Sequence, residues 1–151
     1  MRERGFEIVR EYEGRGIRLP RRRTAGSAGY DIEAAEETVI EPGELAFVPT
    51  GLKAYMGQDE VLQLHIRSSI AVRYQLFLMN SVGIIDADYY NNEENEGHIL
   101  VAFLNHGKEA VRFEKGFRVA QGIFLKYLPT DGDRAGEGAS RQGGFGSTGE
   151  S

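Results

Sequence analysis

The sequence predicts an all-β sandwich or barrel with one short helix and a mobile, glycine-rich C-terminal tail. Three observations predict it. Leu62, Leu64 and Ile66 alternate with Gln63 and His65 across residues 61–66, the period of a strand with one buried face. Turn residues punctuate the chain at 41–44, 56–59, 105–108 and 114–116. Beyond Thr130 the apolar periodicity stops, and Gly, Asp, Glu, Ser and Arg surround a single Phe145. In chain order, strands are expected at 6–12, 44–49, 51–56, 61–66, 98–105 and 119–128. Only 68–74 invites a helix, opened by a serine as its N-cap candidate. The chain therefore divides into a β domain at 1–130 and a flexible segment at 131–151, with no solenoid repeat.

Composition bounds the function. A chain of 151 residues suits one domain, burying roughly 70% of the surface of the unfolded chain. The net charge of −5 argues against direct nucleic-acid binding, which needs clustered cations, but not against small phosphates. No run approaches the roughly 18 apolar residues of a membrane helix, and the N-terminal stretch MRERGFEIVR lacks the apolar core of a signal peptide. A cytoplasmic protein without membrane binding is the expectation. The absence of cysteine removes disulfides, thiol nucleophiles and cysteine–zinc sites, leaving carboxylates, three histidines and the backbone. Basic residues crowd the first 23 positions and end in Arg21, Arg22 and Arg23, but Glu3, Glu7, Glu11 and Glu13 offset them. A solvated edge is the simpler reading, an anion site the sharper one.

Five segments carry the chemistry: AGYDI at 28–32, RSSIA at 67–71, GIIDADYY at 83–90, RVAQ at 118–121 and RQGGFGSTG at 141–149. In this order and spacing they resemble the trimeric dUTPases, over almost the whole chain from Leu19 to Gly149. The resemblance implies a jelly-roll-like β fold and hydrolysis of dUTP to dUMP and pyrophosphate. That reaction limits uracil incorporation into DNA and supplies dUMP for dTTP synthesis.

What the resemblance implies about single residues stands beside what the residues themselves permit. Asp86 would be the general base that orders the attacking water; as a bare aspartate it would equally serve as a turn cap. On a hairpin Asp86 and Asp88 would share a face. The Tyr89 ring would lie against the deoxyribose and leave no room for a ribose hydroxyl; alone it reads as a core or edge aromatic. Asn80, Gly83 and Ile85 belong to the segment whose main chain would read uracil. Arg67, Ser68 and Ser69 at the helix start would hold phosphates, as would Gln121, with Arg118 holding a carboxylate. Asp31 would stand near the water shell of a metal, or occupy a turn.

In the tail, Phe145 would stack on uracil while Arg141, Gly146, Ser147 and Thr148 meet the phosphates, making 143–151 a lid. Mg²⁺ would be bound through substrate phosphates and water, with no direct protein ligands; His65, His98 and His106 are not spaced as a zinc set. A homotrimer with shared sites is implied, and a regulatory protein partner is left open.

Two departures stand out. Residues 90–96, Tyr-Asn-Asn-Glu-Glu-Asn-Glu, intervene where the family continues directly into the next strand, and read as a solvated loop or a partner surface. Arg141 also lies one residue nearer Phe145 than is usual. Two rival functions compete. A dCTP deaminase shares RSS and GIID-like segments but needs a glutamate where this chain has Ala102. A binding or virion-structural module would keep the fold and lose the catalysis.

Overall fold

In the computed structural model, which describes residues 2–134, the alternation at 61–66 becomes β6 (Glu60–Ile66), with Leu62 and Leu64 buried and Gln63 and His65 outward. Strand β6 lies inside a four-stranded sheet of order β2-β11-β6-β8, formed with β2 (Tyr30–Glu33), β11 (Arg118–Lys126) and β8 (Gly83–Asp86). All its pairings are antiparallel. A second sheet joins β4 (Leu45–Pro49), β9 (Leu100–Asn105) and β7 (Leu76–Leu78). Two short pairs complete the fold: β1 (Gly5–Ile8) with β5 (Leu52–Tyr55), and β3 (Thr38–Ile40) with β10 (Val111–Phe113).

The core forms where the inward residues of these sheets meet. Ile32, Leu62, Leu64 and Ala120 come from the four-stranded sheet; Val48, Val101, Phe103, Leu76 and Leu78 come from the three-stranded one; Ile40 and Phe113 close one end. Phe103 meets Phe113 edge-on at 5.6 Å, a geometry that suits the ring quadrupoles. This is the all-β, jelly-roll-like arrangement with one helix that the sequence implies.

Several expected boundaries move. The strand expected at 6–12 stops at Ile8, because the Val9 N–H donates to Gly51 O and the chain turns into a 3₁₀ segment, Arg10–Tyr12, that buries Tyr12. The helix α1 (Ser68–Tyr74) has the expected limits, but Arg67 is its N-cap, without a side-chain cap bond; Ser68 is the first helical residue. The strand expected from residue 98 begins at Leu100, since His98 N–H closes a turn onto Asn95 O. The aspartate segment is not a ladder hairpin: β7 pairs with β9 and β8 with β6, so the chain crosses between sheets. Asp88 lies in a 3₁₀ turn, Ala87–Tyr89, after the strand has ended, so it does not share a strand face with Asp86.

The basic N-terminal stretch is largely paired. Arg2 meets Glu7, Arg4 meets Glu60, Arg10 meets Glu96 and Arg18 meets Glu33. The Arg4 hydrogen bond, with a second from Gly57 N–H, holds the Glu60 carboxyl below the usual carboxylate value.

Candidate active site

The outward face of the four-stranded sheet carries most of the expected site. Residues paired directly across antiparallel strands point to the same face, so Asp31, Gln121 and His65 form one transverse row. An isolated bridge continues it to Arg21, opposite Asp31. Ile32 and Ala120 point into the core beside them, which is why this row stays outside.

Asp31 and Gln121 are held by residues around the row. Arg118 Nη1 lies 3.4 Å from Asp31 Oδ2, and the Asp31 side chain is only 14% exposed. Arg118 thus holds a carboxylate, and Asp31 belongs to a strand rather than a turn. Arg67 Nη1 donates to Arg118 O at 3.1 Å, bringing the start of α1 to the same end of the sheet. Gln121 lies over Gly29: a Cβ there would collide with Gln121 Oε1 and come within 3.1 Å of its Cβ, so the glycine of AGYDI leaves the space the amide occupies. Ser68 and Ser69 are exposed in the first turn, ahead of the first helical hydrogen bonds, which run from Ile70 and Ala71 N–H to Arg67 O. Amides in that position have no partner within their own helix.

Beside this end lies a cleft of about 390 Å³ lined by Arg18, Arg21, Arg22, Arg23, Asp31 and Arg118, among others. Arg18 is taken by Glu33, and Arg22 by the carbonyls of Ala25 and Ser27. The sequence marked the arginine run, but only the bridge to Asp31 puts it beside AGYDI.

Asp86 stands elsewhere on the same face. It ends β8 opposite Val61, four residues along β6 from His65. That is about 13 Å along the strand, plus two strand spacings of about 4.8 Å each to reach Gln121. Asp86 is exposed, with extended backbone (φ −78°, ψ 157°), and makes no cap bond to the turn it precedes. The capping role open to it in the sequence is therefore not the one it takes. Leu125 pairs with Val61 in the same row, and Ile123, Gln63 and Ile84 form the next. Asp86 is thus flanked by an apolar strip in which Ile84 is 52% and Leu125 42% exposed.

Strand β8 is the last strand of its sheet among the described residues, so the edge facing away from β6 offers main-chain donors and acceptors. Gly83 is buried against Leu64, whose side chain a Cβ would meet at 3.0 Å. Ile85 turns its side chain toward the core. Asn80 is exposed in the preceding turn, where Ser81 has a left-handed φ of 65°.

Tyr89 is 6% exposed, and the inserted residues enclose it. Residues 90–96 are solvated in part, with Asn91, Glu93 and Glu94 exposed, and folded back on the protein in part. Asn92 is buried, and Glu96 is paired with Lys53 at 2.6 Å. Burial opposes the Glu96 charge, but the bonds from Lys53 and Arg10 N–H prevail and hold its carboxyl below the usual value. No sequence pattern marked Asn92 or Asn95, because their partners are backbone and phenol groups reached only after folding. His98 likewise has a structural place: Nε2 accepts Gly51 N–H at 2.9 Å, and burial pushes its pKa down.

No group of three or more metal-ligating side chains occurs among the described residues. Ala102 sits in β9 opposite Phe47, with no carboxylate at that position. Arg141, Phe145, Gly146, Ser147 and Thr148 lie outside the described residues.

Known proteins share this sequence and fold. The dUTPase family model matches residues 15–149. A deoxyuridine 5'-triphosphate nucleotidohydrolase of Lactococcus lactis is 54% identical over 99% of both chains. One from Brucella melitensis is 38% identical over 94% of this chain and 91% of its own. The crystal structure of dUTPase from Streptococcus mutans superposes with a TM-score of 0.81 at 49% identity, covering 85% of this chain and 99% of that one. With a family model matched over residues 15–149 and a relative 54% identical over 99% of both chains, the chain belongs to the dUTPase family.

Proposed function

We propose that the protein hydrolyses dUTP to dUMP and pyrophosphate, with Asp86 as the general base. One observation carries the reading: the family motifs within the described residues lie on one face, one edge and one flanking helix of a single sheet, in a chain 54% identical to a named deoxyuridine 5'-triphosphate nucleotidohydrolase. The Asp86 carboxylate takes a proton from a water molecule as that oxygen attacks the α-phosphorus in line. The new P–O bond forms while the bond to the α–β bridging oxygen breaks, releasing dUMP and pyrophosphate. Arg67, Gln121 and the first turn of α1 meet the phosphate chain with charge and fixed donors. The free edge of β8, from Gly83 through Ile85, with Asn80 beside it, reads uracil by main-chain hydrogen bonds. Cytosine presents a donor where uracil presents an acceptor, which leaves groups unpaired at about 1–3 kcal/mol each.

The donor set fits Mg²⁺ held through phosphates and water, since this ion keeps much of its hydration shell. Asp31 offers one carboxylate to such a shell, in place of a cage of ligands. When bound, the ion offsets the charge of the triphosphate. Asp31 would orient that shell, and Arg118 fixes the Asp31 carboxylate.

The distance between Asp86 and the Gln121 row supports a site completed by other copies of the chain. In the proposed homotrimer, each site takes segments 28–32, 67–71 and 118–121 from one subunit, the Asp86 segment from a second and residues 141–149 from a third. The apolar strip around Asp86 and Val72, which is 81% exposed on α1, give the subunits surfaces to bury. Incubation with dUTP, dCTP and dTTP in Mg²⁺ tests the reaction. Pyrophosphate and dUMP from dUTP alone are expected; ammonia from dCTP would identify a deaminase, and no product at all a binding module.

A further inference from the structure

The insertion at residues 90–96 is tied on two sides. Toward the β1–β5 pair, Lys53 Nζ donates to Glu96 Oε2 and Asn91 Oδ1, both at 2.6 Å, and the Tyr90 hydroxyl donates to Glu7 Oε1 at 2.5 Å. Toward Tyr89, Asn92 Nδ2 donates to the Tyr89 carbonyl at 2.7 Å, and Asn95 Nδ2 donates to the Tyr89 hydroxyl at 2.8 Å. The phenol in turn donates to His98 O at 2.7 Å. The orientation of the Asn95 amide is dictated, because its Oδ1 already accepts from Asn92 Nδ2 and Gly97 N–H, leaving only Nδ2 for the phenol. Gly97 closes the loop at φ +88°, where a Cβ would lie 2.8 Å from Tyr89 O. Both the backbone and the hydroxyl of one aromatic residue are therefore clamped by a loop braced against a separate strand pair.

We infer that Asn95 is a positioning residue for Tyr89, and through it a determinant of selectivity for deoxyribose over ribose nucleotides. The inference rests on the dUTP reading, in which the Tyr89 ring bounds the sugar. Steric exclusion of a 2'-hydroxyl works only if the ring cannot retreat, and a displacement of about 1 Å is enough to spoil such a fit. With Asn95 gone the phenol loses the hydrogen bond that holds it from the loop side, while that to His98 O stays.

The test compares kcat/KM for dUTP and UTP in the full-length protein and its variants. Asn95→Ala is expected to lower the dUTP-to-UTP ratio about tenfold, equivalent to about 1.4 kcal/mol. Asn95→Asp, the same size but offering oxygen where the phenol needs a donor, should do the same. Tyr89→Phe, which removes the bonds to both Asn95 and His98 O, should lower the ratio at least as far, and the double variant Tyr89→Phe/Asn95→Ala should be no worse than Tyr89→Phe alone, because the bond to Asn95 is already gone. A lower Tm with an unchanged ratio, or additive losses in the double variant, would overturn the inference. If Asn95→Ala does not fold, Asn95→Asp decides: a retained ratio rejects the proposal, a reduced one supports it. A wild-type protein that leaves dUTP intact overturns the dUTP reading and this inference with it. Selective wild-type hydrolysis with selectivity kept in the variants overturns the inference alone.

Discussion

At one end of the outer sheet face the candidate residues are ordered by their neighbours in the same chain; at the other the candidate carboxylate ends an exposed strand edge. Asp31, Arg118, Arg67 and Gln121 are locked together by an ion pair, a side-chain bond to Arg118 O and a glycine-made space. Asp86 ends an edge strand, exposed and flanked by apolar side chains that face outward. The difference teaches how such a site is divided. In the proposed mechanism, the end that would hold anions is organised within the subunit, where arginines are fixed by carboxylates and carbonyls. The end that would supply the base lies on a partly apolar surface.

The sharpest way to break this comparison is at Asp86. Asp86→Asn should lower kcat by about 10²–10⁴-fold, with affinity for a non-hydrolysable dUTP analogue nearly unchanged, as measured by calorimetry. Equal losses in binding would make Asp86 a substrate ligand instead. The other end should respond in the opposite parameter. Gly29→Ala displaces the Gln121 amide, so KM for dUTP should rise roughly tenfold, the equivalent of one polar contact of about 1.4 kcal/mol, while kcat changes little.

A smaller effect sharpens the comparison by reporting on the frame beneath both ends. Burial holds the His98 imidazole below its ordinary 6.5, so the folded state takes up its proton less readily than the unfolded chain does. The stability this confers is complete above 6.5 and is lost as pH falls toward the folded value. Tm should therefore fall as pH drops from about 7.5 to 5.5, and His98→Asn should flatten that slope. The Glu60 and Glu96 carboxyls are also shifted down, so their contributions vanish only at pH below the usual carboxylate value of 4.5. A slope that persists in His98→Asn above pH 5.5 would point to another group.

Much of this was legible in the sequence, for physical reasons. The alternation of Leu62, Leu64 and Ile66 could mean only a one-sided strand, and the limits of α1 follow from Ile70 and Tyr74 sharing one helical face ahead of Gln75 in the left-handed region. The strands β2, β3, β7 and β10 were missed because three or four residues are too few to display a period. The 3₁₀ turn at Arg10–Tyr12 was read as strand because Tyr12 falls in step with Phe6 and Ile8 of β1. Asp31, Gln121 and Arg67 could be named from their motifs, but their convergence depends on the register between β2, β11 and β6. The clamp on Tyr89 had no signature at all, since polar side chains bonded to a carbonyl and a phenol leave no periodic trace.

The division of the site between copies is tested most directly by mixing two inactive proteins, Asp86→Asn and Arg67→Ala, under conditions that exchange subunits. If each site draws Asp86 and Arg67 from different chains, every mixed trimer regains one intact site, and equal mixing should restore about a quarter of wild-type activity. If both groups serve from the same chain, verified exchange will restore none, and the account of a shared site fails.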